Sequence, residues 1–340
     1  MNRDQTTGLA AAARASVLGQ AARRLSEVLQ DTAYAFAPAA WRRAYPKFEA
    51  SNAADAVKFF DEHGWVIFRN VFDGEEIRSF RQAVENIHQN AYAGDLLSSG
   101  DLGGRRLVFD RRILDIARCI LRDTPSYFGD STASADVGAM GFHKDNPDRE
   151  DVSAPDWRSP YTVIRMGVYL QDHESHSGGL AVRDGSHLAV HRNRGRPLAI
   201  PTRSGDVVVW SLRTTHSGYA ARLRALPNVF VPVPVVKMLG SSAFAGRGVL
   251  SRVFRPLELD RRLALFVTFG IGDGHQARYL SYLQTRHYAV AKWQATDYDP
   301  HVLDDAKACD VKLVPMGERV STLDVSKLHK EHVELPRWGS

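Results

Sequence analysis

Cysteine is almost missing from this chain: Cys119 and Cys309 are the only two in 340 residues, and they lie far apart. That excludes a disulfide framework and a thiolate zinc site, and free thiols point to a reducing cytoplasm. No apolar run reaches the roughly 18 residues a membrane-spanning helix needs. The start of the chain lacks the order of basic region, apolar stretch and small-residue cleavage site that marks a secretory signal. Its segment AAARASVLGQAARRLSEVL has the Ala and Arg of a transit peptide, but Glu27 and Asp31 interrupt it and its spacing is helical. It is expected to form an amphipathic helix. A basic tract is missing too. The formal charge is only +5, and the arginines are scattered in pairs such as Arg42-Arg43, Arg105-Arg106, Arg111-Arg112 and Arg261-Arg262. Nucleic-acid binding calls for a basic stripe or a recognisable module, so an anionic small molecule is the better use of this charge. Neither internal repeats nor low-complexity segments occur.

What is present is ordinary for a folded protein: 44% hydrophobic and 24% charged residues, enough to bury a full core. Residues 8–33 read as a helix, and a second is expected around Ala53–His63. GWVIFRNV alternates and is rich in β-branched and aromatic residues, which predicts a strand. In FDGEEIRSFRQAVENIHQNA, Asp73 sits at an N-cap position ahead of the apolar stripe Ile77, Phe80, Val84 and Ile87, so a helix follows. Another helix is expected around Arg111–Arg122. Beyond residue 127 the texture changes to short β-like runs separated by Gly, Asp, Ser and Pro: SADVGAMGFH, YTVIRMGVYLQ, GGLAVRD, GDVVVWSLRTTH and RRLALFVTFGI. This spacing argues for an antiparallel sandwich or barrel. The organisation expected is a helical extension over 1–50, a β domain over 51–275 carrying an insertion at 217–260, and a C-terminal helix with a polar tail over 276–340.

The chemistry centres on GFHKDN, at the end of a predicted strand. Residues two apart on a strand point to the same side, so His143 and Asp145 converge while Lys144 faces away. Imidazole plus carboxylate suits a first-row divalent metal, and two His with one carboxylate on a single face leave open positions for substrate and oxygen. The third ligand should come from a neighbouring strand, and His216, which ends GDVVVWSLRTTH, is the candidate. H-x-D alone is a weak signal, and an isolated His is more often structural. The order H-x-D, long β-rich gap, Gly-Asp turn, apolar strand and distal His is much rarer.

On these residues the chain resembles the phytanoyl-CoA dioxygenase family of iron(II)/2-oxoglutarate oxygenases. The resemblance covers roughly Phe59–Ile271, through FFDEHGWVIFRNVFDGEEI, GFHKDN, GGLAVRDGSH and GDVVVWSLRTTHSG followed by RRLALFVTFG. It implies a mainly β fold with flanking helices, built on a double-stranded β-helix (jelly-roll, cupin-like) core. It also implies Fe(II) held by His143, Asp145 and His216, with 2-oxoglutarate as cosubstrate. The expected reaction is hydroxylation of an aliphatic C–H, releasing succinate and CO2. Related halogenases replace the carboxylate ligand with a small residue, and this sequence keeps Asp145. In the family an Arg on the last barrel strand grips the far carboxylate of 2-oxoglutarate. The usual spacing from the distal His favours Arg222 or Arg224, but RLALFVTF matches the family's final strand better, which selects Arg262. Ser217 is a further cosubstrate contact by family position. A planar, permanently charged guanidinium is what a buried carboxylate requires.

Arg165 lies mid-strand among apolar neighbours. Facing inward, it needs an anionic partner, substrate or cosubstrate being candidates; facing outward, it is a surface charge. His173, Glu174 and His176 crowd a polar turn without strand support, and His187 and His191 read as structural. Asp273 and His275 repeat the acid–imidazole pairing beyond the last strand, near a pocket mouth. Scattered arginines and the insertion favour a polar or anionic metabolite such as a glycoside, although the fold itself does not specify a substrate. The competing reading is a non-catalytic β-barrel that binds a sugar or lipid, which has no need of an open facial triad. In a third, the N-terminal helix or the insertion docks a carrier protein or membrane surface.

Overall fold

Alternating sheets, not alternating β and α units, organise this chain. The computed structural model describes residues 46–49, 53–89, 95–98, 107–136, 142–173, 179–218 and 262–329. The expected N-terminal helix at 8–33 and most of the 217–260 insertion lie outside them. Ten strands are described: β1 (Lys47–Phe48), β2 (Trp65–Phe68), β3 (Ser126–Asp136), β4 (Ile164–Tyr169), β5 (Ala181–Arg183), β6 (Pro197–Ala199), β7 (Val207–Ser211), β8 (His216–Ser217), β9 (Arg262–Gly270) and β10 (Lys312–Leu313). The large sheet runs β1-β2-β7-β4-β9-β3-β10 and the small sheet β6-β5-β8. A single antiparallel bridge between His143 and His216 extends the small sheet by one further segment. Passing along the chain from β3 to β9, segments alternate between the large and the small sheet, except that β5 and β6 form a hairpin within the small one. That alternation is a double-stranded β-helix, with mainly antiparallel pairing and flanking helices.

Side-chain alternation in β9 shows how the layers are filled. Leu263, Leu265, Val267 and Phe269 join the apolar core beneath the helices. Ala264 and Phe266 point between the sheets, among Trp65, Tyr169, Val182, Val208 and Trp210. The helices over the outer face are α1 (Ala53–His63), α2 (Gly74–Gln89) and α3 (Arg111–Leu121). Asp73 accepts hydrogen bonds from the amides of Glu75 and Glu76, and the Glu76 carboxylate accepts from the Asp73 amide. This reciprocal cap fixes the start of α2. Glu76 also pairs with Arg112, tying α2 to α3. Along α3, Ile113, Leu114, Ile116, Ala117, Ile120 and Leu121 are all buried, each large side chain contributing about 1.5–3 kcal/mol.

The C-terminal part is more structured than a helix and a polar wrap. It forms α4 (Gly274–Leu283), α5 (His287–Gln294), α6 (Pro300–Ala308) and α7 (Met316–Val320). The expected single helix is divided between Leu283 and His287, and β10 adds a strand parallel to β3. Tyr279, Leu280, Leu283, Val290 and Trp293 pack against Phe128 and Leu212, so α4 and α5 close the barrel end that carries the His143–His216 bridge. Among the described residues no helix is long and apolar enough to cross a membrane.

Candidate metal centre

Backbone pairing brings the predicted triad together. The amide of His143 donates to the carbonyl of His216 at 2.9 Å, and the return bond is 2.8 Å. Two residues on, the Asp145 amide donates to the Leu212 carbonyl. His216 therefore does not end the Val207–Ser211 strand: Leu212–Thr215 turn the chain out of the large sheet, and His216 opens β8 in the small one. Ligand atoms of His143, Asp145 and His216 all lie within 4.8 Å of one another. All three residues are buried, with their imidazole planes tilted at 47°.

The nitrogens are set up for coordination. Nδ1 of His216 lies 3.0 Å from the Thr214 carbonyl, which can only accept, so Nδ1 carries the proton and the Nε2 lone pair is left for an ion. That Nε2 stands 3.4 Å from Asp145 Oδ2, and His143 Nε2 stands 3.5 Å from Asp145 Oδ1. Burial alone would raise the Asp145 pKa, but the fields of His216 and Arg165, with smaller help from His143, hold it well below the usual carboxylate range. Buried imidazole nitrogens beside a charged carboxylate, one lone pair per ligand, are a donor set that fits a divalent first-row metal.

Arg165 faces inward from β4, and its counter-charges are two carboxylates of the protein. Nη1 donates to Asp145 Oδ2 at 3.0 Å and Nη2 to Asp130 Oδ2 at 2.9 Å. Nη2 also reaches the Tyr279 hydroxyl, and Nε donates to Thr268 Oγ1. Asp130 was not anticipated. It sits in β3 where the pairing with β9 shifts between Tyr127 and Ser131. Gly129 makes that irregularity possible, at φ +71° and with room for no side chain: a Cβ there would lie 2.9 Å from an Asp95 oxygen. Burial pushes Asp130 up, yet Arg165 and Lys292 outweigh it and keep the group ionised.

Lys144 faces away from the triad, into a buried polar niche where Nζ donates to the carbonyls of Ser186 and Arg213. Ser217 is buried in β8, paired with Ala181. Arg262 opens β9 opposite Asp136; Arg222, Arg224 and Arg261 fall outside the described residues. His173 is buried with Nδ1 against Thr202 Oγ1, whereas Glu174 and His176 are not described. Asp273 caps α4 by accepting from the amides of His275 and Gln276. His275 turns instead toward Ser159, Asp156 and Arg278.

No family model matches the chain. A curated ectoine dioxygenase from Stutzerimonas stutzeri (strain A1501) is 28% identical over 156 residues, 40% of this chain and 50% of the relative. The match thus spans about half the length of that relative. Among solved structures, EctD from S. alaskensis with 2-oxoglutarate and 5-hydroxyectoine is 17% identical, with 67% of this chain and 79% of that one covered at a TM-score of 0.43. HygX from Streptomyces hygroscopicus, with nickel and 2-oxoglutarate bound, is 17% identical over 64% of this chain and 87% of its own, with a TM-score of 0.42. The carbocyclase SnoK from nogalamycin biosynthesis is 18% identical over 68% and 93%, at 0.42. At this overlap the fold assignment rests on the strand order given above. In strand order and donor set the chain is a double-stranded β-helix protein with a His-Asp-His centre, similar in sequence to an ectoine dioxygenase.

Proposed function

We propose that this protein is an iron(II)/2-oxoglutarate-dependent dioxygenase that hydroxylates an aliphatic C–H of a small molecule. The observation that supports it most directly is the buried cluster of His143, Asp145 and His216 at the end of a double-stranded β-helix. Those three side chains would hold iron(II), which together with 2-oxoglutarate and dioxygen supplies the oxidising chemistry and releases succinate and CO2. The chain's own contribution is to fix the ligands, exclude water and orient what binds. The backbone bridge between His143 and His216 fixes two ligands on one rigid sheet edge, and the Thr214 carbonyl sets the His216 tautomer. Asp145, kept as a charged ligand, favours hydroxylation over halogenation. Arg262 at the start of β9 is proposed to anchor the far carboxylate of 2-oxoglutarate, with Ser217 beside it. We place the enzyme in the cytoplasm, where the free thiols Cys119 and Cys309 stay reduced.

The test is succinate release from 2-oxoglutarate by the full chain with added iron(II) and oxygen, compared with His143→Ala. Ectoine and other polar metabolites are added in turn to raise the slow uncoupled rate. Wild type should form succinate and His143→Ala should fall to background. Equal rates in the two would sink the proposal. Arg262→Ala should raise the KM for 2-oxoglutarate while leaving metal binding intact, as expected for a carboxylate clamp.

A further inference from the structure

We infer, resting on the metal-centre reading above, that Arg165 is a positioning residue that fixes the Asp145 carboxylate in the orientation it holds between His143 and His216. The guanidinium is gripped on three sides. Asp130 of β3, Thr268 of β9 and the Tyr279 hydroxyl of α4 each take a hydrogen bond from it, and the remaining arm reaches Asp145 Oδ2. Asp130 is itself fixed: the Tyr279 hydroxyl donates to its Oδ2 at 2.8 Å, and Lys292 of α5 approaches its Oδ1 at 3.5 Å. Two carboxylates and two cations thus balance in a buried chain that runs from the metal ligand to the C-terminal helices.

The consequence lies in the carboxylate. An aspartate carboxylate can rotate about its Cβ–Cγ bond, so its oxygens keep their places beside the imidazoles only if another group holds them. Asp145 Oδ2 takes the Arg165 bond and also stands 3.4 Å from His216 Nε2, while Oδ1 stands 3.5 Å from His143 Nε2. A planar donor fixed by three other partners cannot swing away to release Oδ2 without breaking bonds elsewhere. Arg165 thereby fixes the rotation of the carboxylate relative to both imidazoles. With all three of its nitrogens engaged within the protein, its task is to orient the ligand.

Cobalt(II), whose visible spectrum reports coordination number, is the probe. The full chain is titrated as wild type, Arg165→Met, Arg165→Lys and Tyr279→Phe, with folding checked by circular dichroism. The double variant Asp130→Asn/Arg165→Met is added because it removes charge on both sides and so avoids a stranded buried acid. Loss of a group that orients a ligand typically weakens metal binding about 10–100-fold. That loss is expected in Arg165→Met and in the double variant, with an altered cobalt spectrum. Arg165→Lys should recover part of it, and Tyr279→Phe should lose only a few-fold. Cobalt affinity and spectrum unchanged in the folded double variant would overturn the inference. So would a loss confined to 2-oxoglutarate affinity, which would make Arg165 a cosubstrate contact. If wild type binds cobalt no better than His143→Ala, the metal centre itself is wrong. If only the Arg165 variants match wild type, the centre stands and the positioning role falls.

Discussion

His216 and His275 both lie beside buried carboxylates near one end of the barrel, yet their nitrogens are committed in opposite ways. At His216 the Thr214 carbonyl takes the Nδ1 proton and leaves Nε2 bare, facing Asp145. At His275, Nδ1 lies 2.7 Å from Arg278 Nη2, which can only donate. Asp156 Oδ1 stands farther from the same nitrogen, at 3.3 Å, so the shorter Arg278 contact makes Nδ1 the acceptor and puts the proton on Nε2, toward Ser159 Oγ at 2.7 Å. Ser159, His275 and Asp156 have the residue types of a hydrolase triad, but a ring already protonated at Nε2 cannot take a proton from the serine. Arg278 also neutralises Asp156 at 2.8 Å. The same three residue types would support different chemistry if the second nitrogen were held differently. The partner of the other ring atom decides whether a histidine is a ligand, a base or a strut.

The largest effect should come from exchanging roles across this comparison. Asp145→Ala is expected to bring metal-dependent succinate release down to background and to lower cobalt affinity beyond measurement. His275→Gln, one cluster away, should leave cobalt affinity within about twofold, because surface or structural contacts not shared with a ligand couple weakly to it. Isothermal titration with both variants checks the contrast. A large loss of metal in His275→Gln would mean the two clusters are one site.

The Asp156 cluster should instead report in stability. Asp156 is fully buried and receives Asn146, Arg278 and the Asp148 amide. Asp156→Ala removes the nearer of the two acids beside Arg278, leaving Asp148 at 3.6 Å, and is expected to cost about 3 kcal/mol, the lower end for a broken buried pair because Arg278 keeps that second acid and some solvent contact. Urea unfolding measures it. A change under about 0.5 kcal/mol, the size of an ordinary surface substitution, would show that the cluster holds nothing together.

The contrast also marks what the amino-acid sequence discloses. The triad was legible because strand alternation forces His143 and Asp145 to one side, and because a distal His after an apolar strand can return to them. Its third member was placed on the wrong strand, since a two-residue β8 leaves no periodic trace and the turn at Leu212–Thr215 carries no Gly or Pro to mark it. An inward Arg165 demanded an anion on charge grounds alone, but Asp130 was invisible. SYFGDST is not among the β-like runs picked out by pattern, and it is a strand through its pairing with β9 across the irregularity at Gly129. The helices were visible wherever a cap and an apolar stripe coincide, as in α2 and α3. The division of the C-terminal helices, and the strand β10 beyond them, depend on packing against β3 and Phe128, which local pattern does not encode.

The smallest effect, and the one with a defined pH window, belongs to His187. Its Nε2 donates to the Asp61 carbonyl at 3.0 Å. Nδ1 is buried without a hydrogen-bond partner, against Gly64, where a Cβ would stand only 2.3 Å away. Protonating Nδ1 would place an unsolvated charge there, with Arg213 and Lys144 nearby. Burial first, and those two cations second, push its pKa down from 6.5 to about 4. The unfolded chain binds this proton near pH 6.5 and the folded chain refuses it until about pH 4. Stability from this group is therefore whole above 6.5 and drains away as the pH falls through that window. The loss is about 2 kcal/mol, somewhat below the full shift at 1.36 kcal/mol per unit because the ring keeps slight access to water. Urea midpoints at pH 7 and pH 4.5 should separate wild type from His187→Gln, a variant that does not titrate while every other group stays common to both. Wild type should lose about 2 kcal/mol more than the variant across that interval. Parallel losses would mean that the ring accepts its proton in the folded state after all, and that its niche is wetter than the packing against Gly64 implies.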